Sequence, residues 1–527
     1  MNTVRDMVSA GVWCVAFLGV AILGSGCSAM LKVDDECNHD DDCTSYGSHL
    51  ICREQLCIND GDDGNETDGP SDDGDDTDTL SGLDLLGGPC TRLDGMDDAT
   101  AEVPADAIII GSILPITGEL SVAGASFEQV TTLAIEEINR AGGILGRDII
   151  KVGCDSGTSP DTAQEAAEHL RDLGVQAVLG PFSSEIVVAT YNSVLRDAGM
   201  VVVSAGANAP IISSVSAEGL IWSTSLPAAR EATAMAEHVH ASDWQRVAVI
   251  HRDDTWGGSM FNTFYSKYCD FSGVDCTSED AFLVRAYDPV DLETSMASVV
   301  TELATWQPDI TVAFTYIEDA LTFLTVVGMT GAPLHSLLFN STSASDLIFT
   351  YLGSSYHTSL CQMQATVQQM PGGIVYGSFL TRYRARFDGE DPVPYTAAFY
   401  DAAYLLAYAY AAASSDENPN PTGAEISSAM TRLSSGTDIN AGAEDWNVGV
   451  TALRASDDAT IDYVGASGDV DFPSGTGSVI CPVETVRFNV GNQEIESVGV
   501  IYSTDDKYTA PDYSDVVDSV CGDTTRP

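Results

Sequence analysis

The sequence predicts an α/β protein built from two doubly wound lobes. Three observations predict it. Continuous apolar runs of buried-strand length, such as Ile108-Ile-Ile-Gly-Ser-Ile-Leu114, alternate with segments whose apolar residues recur at helical spacing. A second such series starts at Arg246-Val-Ala-Val-Ile250, and glycine and proline punctuate the joins. Strands apolar on both faces belong in parallel sheets with helices on either side, which the repeated βαβ pattern supplies.

Each element has a local reason. Ala105 to Leu114 reads as a buried strand, and Pro115-Ile-Thr-Gly118 turns the chain into a helix with Phe127, Val130, Ala134 and Ile138 on one face. Gly142 and Gly143 end that helix. Asp148 to Cys154 is the next strand. Ser159-Pro160-Asp161 starts a helix, with serine at the N-cap, proline at N1 and an acid in the first turn, and Gly174 closes it. Val175 to Leu179, the helix Glu185 to Ala198 and the strand Met200 to Ala205 complete the first series. The second series runs through a helix from Gly258 to Tyr268, a strand Ala281 to Arg285, a helix Leu292 to Thr305, a strand Ile310 to Thr315, a helix Ala320 to Met329 and a strand Ser336 to Phe339. After Pro371-Gly-Gly373, Ile374 to Phe379 reads as a strand and Ala397 to Ala413 as a very apolar helix; from Thr460 onward the pattern is short strands and glycine turns.

At 527 residues the chain has room for two to four units of about 150 residues. Its 44% hydrophobic content means that most of it folds. Lys and Arg total 22 against 78 Asp and Glu, a formal charge of −56, which would repel phosphates and excludes nucleic acid as a partner. So acidic a surface suits a salty exterior, where self-repulsion is screened over about 10 Å or less. Arg5 precedes an apolar run from Val12 to Gly24, of signal h-region length and too short to span a bilayer, which ends at Ser25-Gly26-Cys27. Leu23-Gly-Ser-Gly-Cys27 resembles a bacterial lipobox, with Leu23 one place further from the cysteine than usual. Acylation of Cys27 and attachment to the cell envelope are therefore expected.

Of the 13 cysteines, Cys14 leaves with the signal. Cys37, Cys43, Cys52 and Cys57 lie in a stretch too poor in apolar residues to fold without staples, so disulfides are expected there; a zinc site is the alternative, although no spacing is C-x₂-C. Cys269 and Cys276 are close enough to close a small loop, and the wider connectivity is open. Asn59 to Thr79 is acidic, without a base or a large apolar residue, and reads as a solvated tether. Its Asp-Gly spacing lacks the register of a calcium loop.

Several segments together resemble a known family: Ile108 to Gly118, Ala134-Ile-Glu-Glu-Ile-Asn-Arg-Ala-Gly-Gly-Ile-Leu-Gly146, Gly180-Pro-Phe-Ser-Ser184, Ser204-Ala-Gly-Ala-Asn-Ala-Pro210, Asp253-Asp-Thr-Trp-Gly-Gly258 and Ala398-Phe-Tyr-Asp-Ala-Ala403. In order and spacing they are similar to the leucine/isoleucine/valine-binding type of periplasmic substrate-binding protein, over about residues 105 to 500. The resemblance implies two Rossmann-like lobes joined by three crossovers, closing on a ligand like a hinge. Joined to the reading of the N-terminal segments above, it gives the expected organisation 1–26 signal peptide, 27–58 Cys-rich segment, 59–103 disordered acidic linker, 104–227 with 374–455 as one lobe, 228–373 with 456–505 as the other, and a tail at 506–527. It implies a small-molecule ligand and the permease subunits of an ABC importer as partners.

The ligand site implied by the resemblance comprises Thr117, Ser183, Ser184, Gly206, Asn208, Trp256, Tyr316, Asn340 and Ser341. A strand end delivering Ser183-Ser184 to a helix N-terminus would suit a carboxylate. N-capping explains a serine there equally well, and Trp256 and Tyr316 read also as core aromatics. Where amino-acid binders of the family place an acid, this chain has Asn340-Ser-Thr-Ser343, which argues against an aliphatic amino acid. No enzyme is expected: G-x-S-x-G and H-E-x-x-H are absent, the glycines after Ala141 follow a helix instead of a strand, and His238-Val-His240 reads as solvated or capping rather than zinc-binding. No cofactor or metal is called for. A signalling receptor, or a surface lipoprotein that has lost its ligand, is the alternative to uptake.

Overall fold

The computed structural model describes residues 50–53, 56–59, 80–215, 219–242, 244–332, 336–352, 363–369, 373–473 and 477–511. The signal peptide, Cys27, Cys37, Cys43 and the tether up to residue 79 lie outside them, as do the side chains of Cys52 and Cys57. The chain divides into two units, Met1–Thr77 and Asp78–Pro527. In the first, β1 (Leu50–Arg53) and β2 (Leu56–Asn59) form an antiparallel hairpin.

The second unit holds both lobes. The first lobe is a six-stranded sheet in the order β3-β5-β4-β6-β7-β8: Cys90–Asp94, Ile149–Asp155, Ile108–Leu114, Ala177–Leu179, Val201–Ser204 and Ile221–Ser223. All pairs are parallel except β3 with β5. The second lobe is a seven-stranded sheet in the order β10-β9-β11-β12-β13-β17-β18: Phe282–Tyr287, Val247–Arg252, Ile310–Phe314, Ser336–Phe339, Met363–Gln368, Val483–Asn489 and Glu494–Tyr502. Its last two strands form an antiparallel hairpin on the parallel sheet, where the sequence suggests only short strands. As expected of parallel sheets, the central strands are buried along their whole length. On the Ser121–Arg140 helix, Phe127, Val130, Ala134 and Ile138 all enter the core.

The structure departs from the sequence reading in four places. Residues 80–103, expected as disordered linker, include a 3-10 turn and β3, which pairs with β5. β3 is tied down by the Cys90–Cys154 disulfide and by Asp94, 2.9 Å from the buried Lys151 ammonium. Ile374 to Phe379 starts a helix, Ile374–Arg386, instead of a strand. Only Phe379 and Tyr383 on it are buried, four residues apart, so one helical stripe does the packing. The segment up to Asp469 stays with the first lobe, beyond the expected boundary at 456. There β15 (Ile461–Gly465) and β16 (Gly468–Asp469) join β14 (Thr437–Asn440) in a small sheet, and Asp401 accepts hydrogen bonds from the Tyr463 hydroxyl and the Ala466 and Ser467 amides. The helix expected from Glu185 to Ala198 is α-helical over Ser184–Thr190 and π-helical over Tyr191–Leu195. The Cys269–Cys276 disulfide forms as expected, and Cys481 is free and buried.

Among the described residues no helix is long and apolar enough to cross a membrane.

Candidate functional site

Three segments cross between the lobes: after β8, after β13 and after β16. One side chain ties them together. Gln368, at the end of β13, accepts the Leu226 amide hydrogen on its Oε1 (3.1 Å) and donates from Nε2 to the Ser467 carbonyl (3.1 Å). The third crossover also lies along the first, through the Ser223 amide to the Gly477 carbonyl (2.6 Å). Nothing in the sequence marks Gln368, because its partners are backbone groups brought together only by the fold.

The carboxyl ends of the strands face each other across the cleft, where open α/β sheets place their ligands. Here the lobes meet. Phe182, following β6, lies 5.9 Å from Tyr316, following β11, and 5.6 Å edge-on from Tyr395. Only about 10 Å³ remains among these rings, room for about one water. At the lip, Arg252 pairs with Glu119 of the first lobe, and the Ala123 amide donates to Glu318 across the cleft (3.3 Å).

Most of the site residues expected from sequence are used up in this closure. Ser183 caps its helix, accepting the Ile186 amide hydrogen (3.3 Å), and the buried Ser184 Oγ accepts that of Ala209 (3.2 Å), so both hydroxyls are already engaged within the first lobe. Gly206 is packed so closely on Phe182 that a Cβ would lie 2.3 Å from the ring. Thr117 is exposed and donates to Asp155 (2.6 Å). Trp256 and Tyr316 are buried and stack on each other at 4.7 Å, as core aromatics. Asn340 accepts the Thr315 amide hydrogen (2.9 Å) inside the second lobe. His238 is buried between Tyr508 (3.1 Å) and Gln364 (2.9 Å), neither solvated nor beside a second histidine ligand.

Two expected residues are brought together by one that sequence reasoning missed. The Tyr395 hydroxyl lies 3.1 Å from Ser341 Oγ and 3.4 Å from Asn208 Nδ2, linking the lobes. Tyr395 holds a left-handed backbone (φ 72°), rare for a residue with a Cβ, so its ring position is over-determined by these contacts. Its only sequence signal is the rigid Asp391-Pro-Val-Pro394 run before it.

Behind Ser341 lies Glu231, in the first turn after the first crossover. It accepts from the Ser341 amide (2.6 Å), the Ser341 hydroxyl (3.0 Å) and the Thr366 hydroxyl (2.8 Å). Burial pushes its carboxyl from 4.5 up to about 7 against those hydrogen bonds. A carboxyl raised on folding takes up a proton between the two values, so its contribution is fully present below about pH 4.5 and is lost as pH rises to about 7. Glu231→Gln, which resembles the protonated form, is therefore expected to flatten the fall in stability between pH 5 and 8. At pH 8 it should gain about 1 to 3 kcal/mol over wild type. Urea melts at several pH values check this, and parallel curves for the two proteins would contradict it. Buried His238 and His251, both lowered by burial, act with the opposite sign and cancel in the comparison.

On the other side of Tyr395 the lobes line a partly open cavity of about 310 Å³. All three crossovers contribute to its wall, through Ser225 and Leu226, Val367 and Gln368, and Ser467. The second lobe adds Ser341, the loop Ala344 to Leu347 and Ile495; the first adds Tyr376, the run Asp391 to Tyr395, Ala397 and Ala398. Of the site residues expected from sequence, Ser341 alone lines it. The cavity is mostly apolar with a few hydroxyls, one amide and two carboxylates, the make-up of a small-molecule site.

Two lobes, three crossovers and a partly open cavity between them are the architecture of a two-lobed binding protein. The chain belongs to the periplasmic binding protein family, whose pattern it matches over residues 107–451. It is 28% identical to Leu/Ile/Val-binding protein homolog 3 of Brucella melitensis over 159 residues, 30% of this chain and 42% of that protein, so the match spans less than half of the relative's length. It is 24% identical to the chemotactic signal transduction system substrate-binding protein BasB of Halobacterium salinarum over 373 residues, 69% of this chain and 83% of that one. The fold is similar to that of the branched-chain amino acid transporter substrate binding protein LivJ of Streptococcus pneumoniae, solved with isoleucine. There the TM-score is 0.59 at 16% identity, covering 75% of this chain and 99% of that one. These relatives are named as binding proteins, and the chain belongs to the same family.

Proposed function

We propose that this protein captures a small polar solute, an amino acid or a related carboxylate, amide or amine, outside the cytoplasm and presents it to an ABC importer while anchored by lipid on Cys27. The observation that carries the reading is the cavity of about 310 Å³ that both lobes and all three crossovers line. A ligand touching every crossover binds the closed state better than the open one, the requirement for ligand-driven closure. The Leu/Ile/Val-binding relatives support import. A second reading, presentation to a signalling receptor, is favoured by the match that covers 83% of BasB.

The test is calorimetric titration with a panel of amino acids, aromatic acids, amides and amines, run on the wild type and on Ala397→Trp, which fills the cavity from the first turn of the Thr396–Ala413 helix. At least one member should bind the wild type, and the variant, checked to be folded by its thermal melt, should not bind it. Silence across the panel would favour a surface lipoprotein that has kept the fold without a ligand. Mass analysis of the mature N-terminal peptide tests the anchor: an acylated Cys27 is expected, and an unmodified one contradicts it.

A further inference from the structure

We infer that the solute held in this cavity carries a positive charge and no carboxylate: an amine with an apolar or aromatic body. The inference rests on the solute-binding reading above and narrows it. Among the described residues that line the cavity, Asp346 and Asp391 are the only charged ones. Arg384 pairs with Asp391 at 2.5 Å and offsets that charge. Asp346 accepts the Ile495 amide hydrogen (2.8 Å) and makes no ion pair with any described residue.

Asp346 is exposed at the mouth of the pocket, and its carboxyl is raised by partial desolvation and by Asp391 and Glu494, against the Ile495 amide and the nearby Arg384. One opposing field exists. The first turn of the Thr396–Ala413 helix faces the cavity through Ala397 and Ala398, and a helix N-terminus carries about half a positive charge. That is smaller than the full carboxylate charge left once Arg384 is set against Asp391. The rings of Tyr376 and Tyr395 offer faces on which an ammonium group would be favoured. A carboxylate in the same space would meet two acids, and Arg384, the cation beside them, is paired with Asp391. The helix terminus suited to it, at Ser183-Ser184, is closed off by Phe182 and by the Ala209 hydrogen bond.

The test uses probes matched in body: phenethylamine, 3-phenylpropionamide and 3-phenylpropionate, with the corresponding indole series, titrated into the full chain and into Asp346→Asn. Asparagine can still accept the Ile495 amide hydrogen, so the variant removes charge and keeps the loop bond. Expected is an amine bound at least tenfold more tightly than its amide and carboxylate, with a preference that shrinks about tenfold in Asp346→Asn and weakens as salt rises. A carboxylate or amide that binds as tightly as the amine and is blocked by Ala397→Trp would overturn the charge inference and leave solute binding standing. An amine preference unchanged in Asp346→Asn would overturn it as well. No binding by either series or by the wider panel would overturn both readings.

Discussion

Replacing Arg252 by alanine should destabilise the protein by about 3 to 5 kcal/mol, the usual cost of stripping the partner from a buried charge. The guanidinium sits at the end of β9, only 4% exposed, with Asp319 at 3.0 and 3.1 Å on one amino group, Asp254 at 2.8 Å on Nε and Glu119 on the other amino group. Asp319 is itself 2% exposed and also accepts the Tyr287 hydroxyl hydrogen (2.7 Å). Without Arg252 its charge stays in the interior with only neutral donors. The planar fork reaches three carboxylates at once, which a lysine could not do, so Arg252→Lys should recover only part of the loss. Because Glu119 belongs to the first lobe, the alanine variant should also open the cleft lip. Urea unfolding measures the first effect and small-angle scattering the second. A loss below about 1 kcal/mol with an unchanged radius of gyration would show that the pair is a bystander. Arg252→Met with Asp319→Leu should be less damaging than Arg252→Ala, since the most buried carboxylate leaves with the guanidinium and only the more exposed Asp254 and Glu119 lose a partner.

The second large effect concerns the segment that sequence reading assigns to the linker. Removing the Cys90–Cys154 disulfide, by Cys90→Ala with Cys154→Ala, should cost about 4 kcal/mol on the chain-entropy argument for a sequence separation of 64. The loss should fall first on β3. Its only sheet neighbour is β5, Cys90 is its one fully buried residue, and what remains is Asp94, held by Lys151 and by the Thr132 hydroxyl (3.0 Å), with Leu93 half-buried against the core. Hydrogen exchange should then show β3 opening below the global unfolding free energy while β4 and β6 stay protected. Equal protection of β3 with and without the bridge would mean that pairing alone holds it.

β3 shows why part of the fold is hidden in the sequence. Cys90-Thr-Arg-Leu-Asp94 is short, polar on most of its length and set at a sheet edge, so no apolar run announces it. The central strands announced themselves, because strands buried on both faces must be apolar throughout: Val201–Ser204 and Ile310–Phe314 lie where the pattern puts them. Ile374 to Phe379 misled for the opposite reason. Its β-branched and aromatic residues read as a strand, yet Ile374 is 89% exposed and only the Phe379–Tyr383 spacing, which runs past the end of that reading, carries the packing. The cleft was legible as a meeting of strand ends and not as a set of contacts. The segments after β6, β7, β9, β11 and β12 do converge on the cleft, but whether a serine there meets a ligand or a neighbouring amide depends on Phe182 and Tyr395, whose ring positions no local pattern specifies. Gln368 and Glu231 were invisible because their partners come from distant segments.

The central claim is that a solute sits on the hinge side of Tyr395 and not at the helix terminus. A crystal structure of the chain with the tightest-binding member of the probe panel tests it most directly. Density bounded by Gln368, Tyr395 and Asp391, with Phe182 still packed on Gly206, is the predicted result. Density between Ser184, Gly206 and Trp256, with Phe182 turned out of the way, would contradict it.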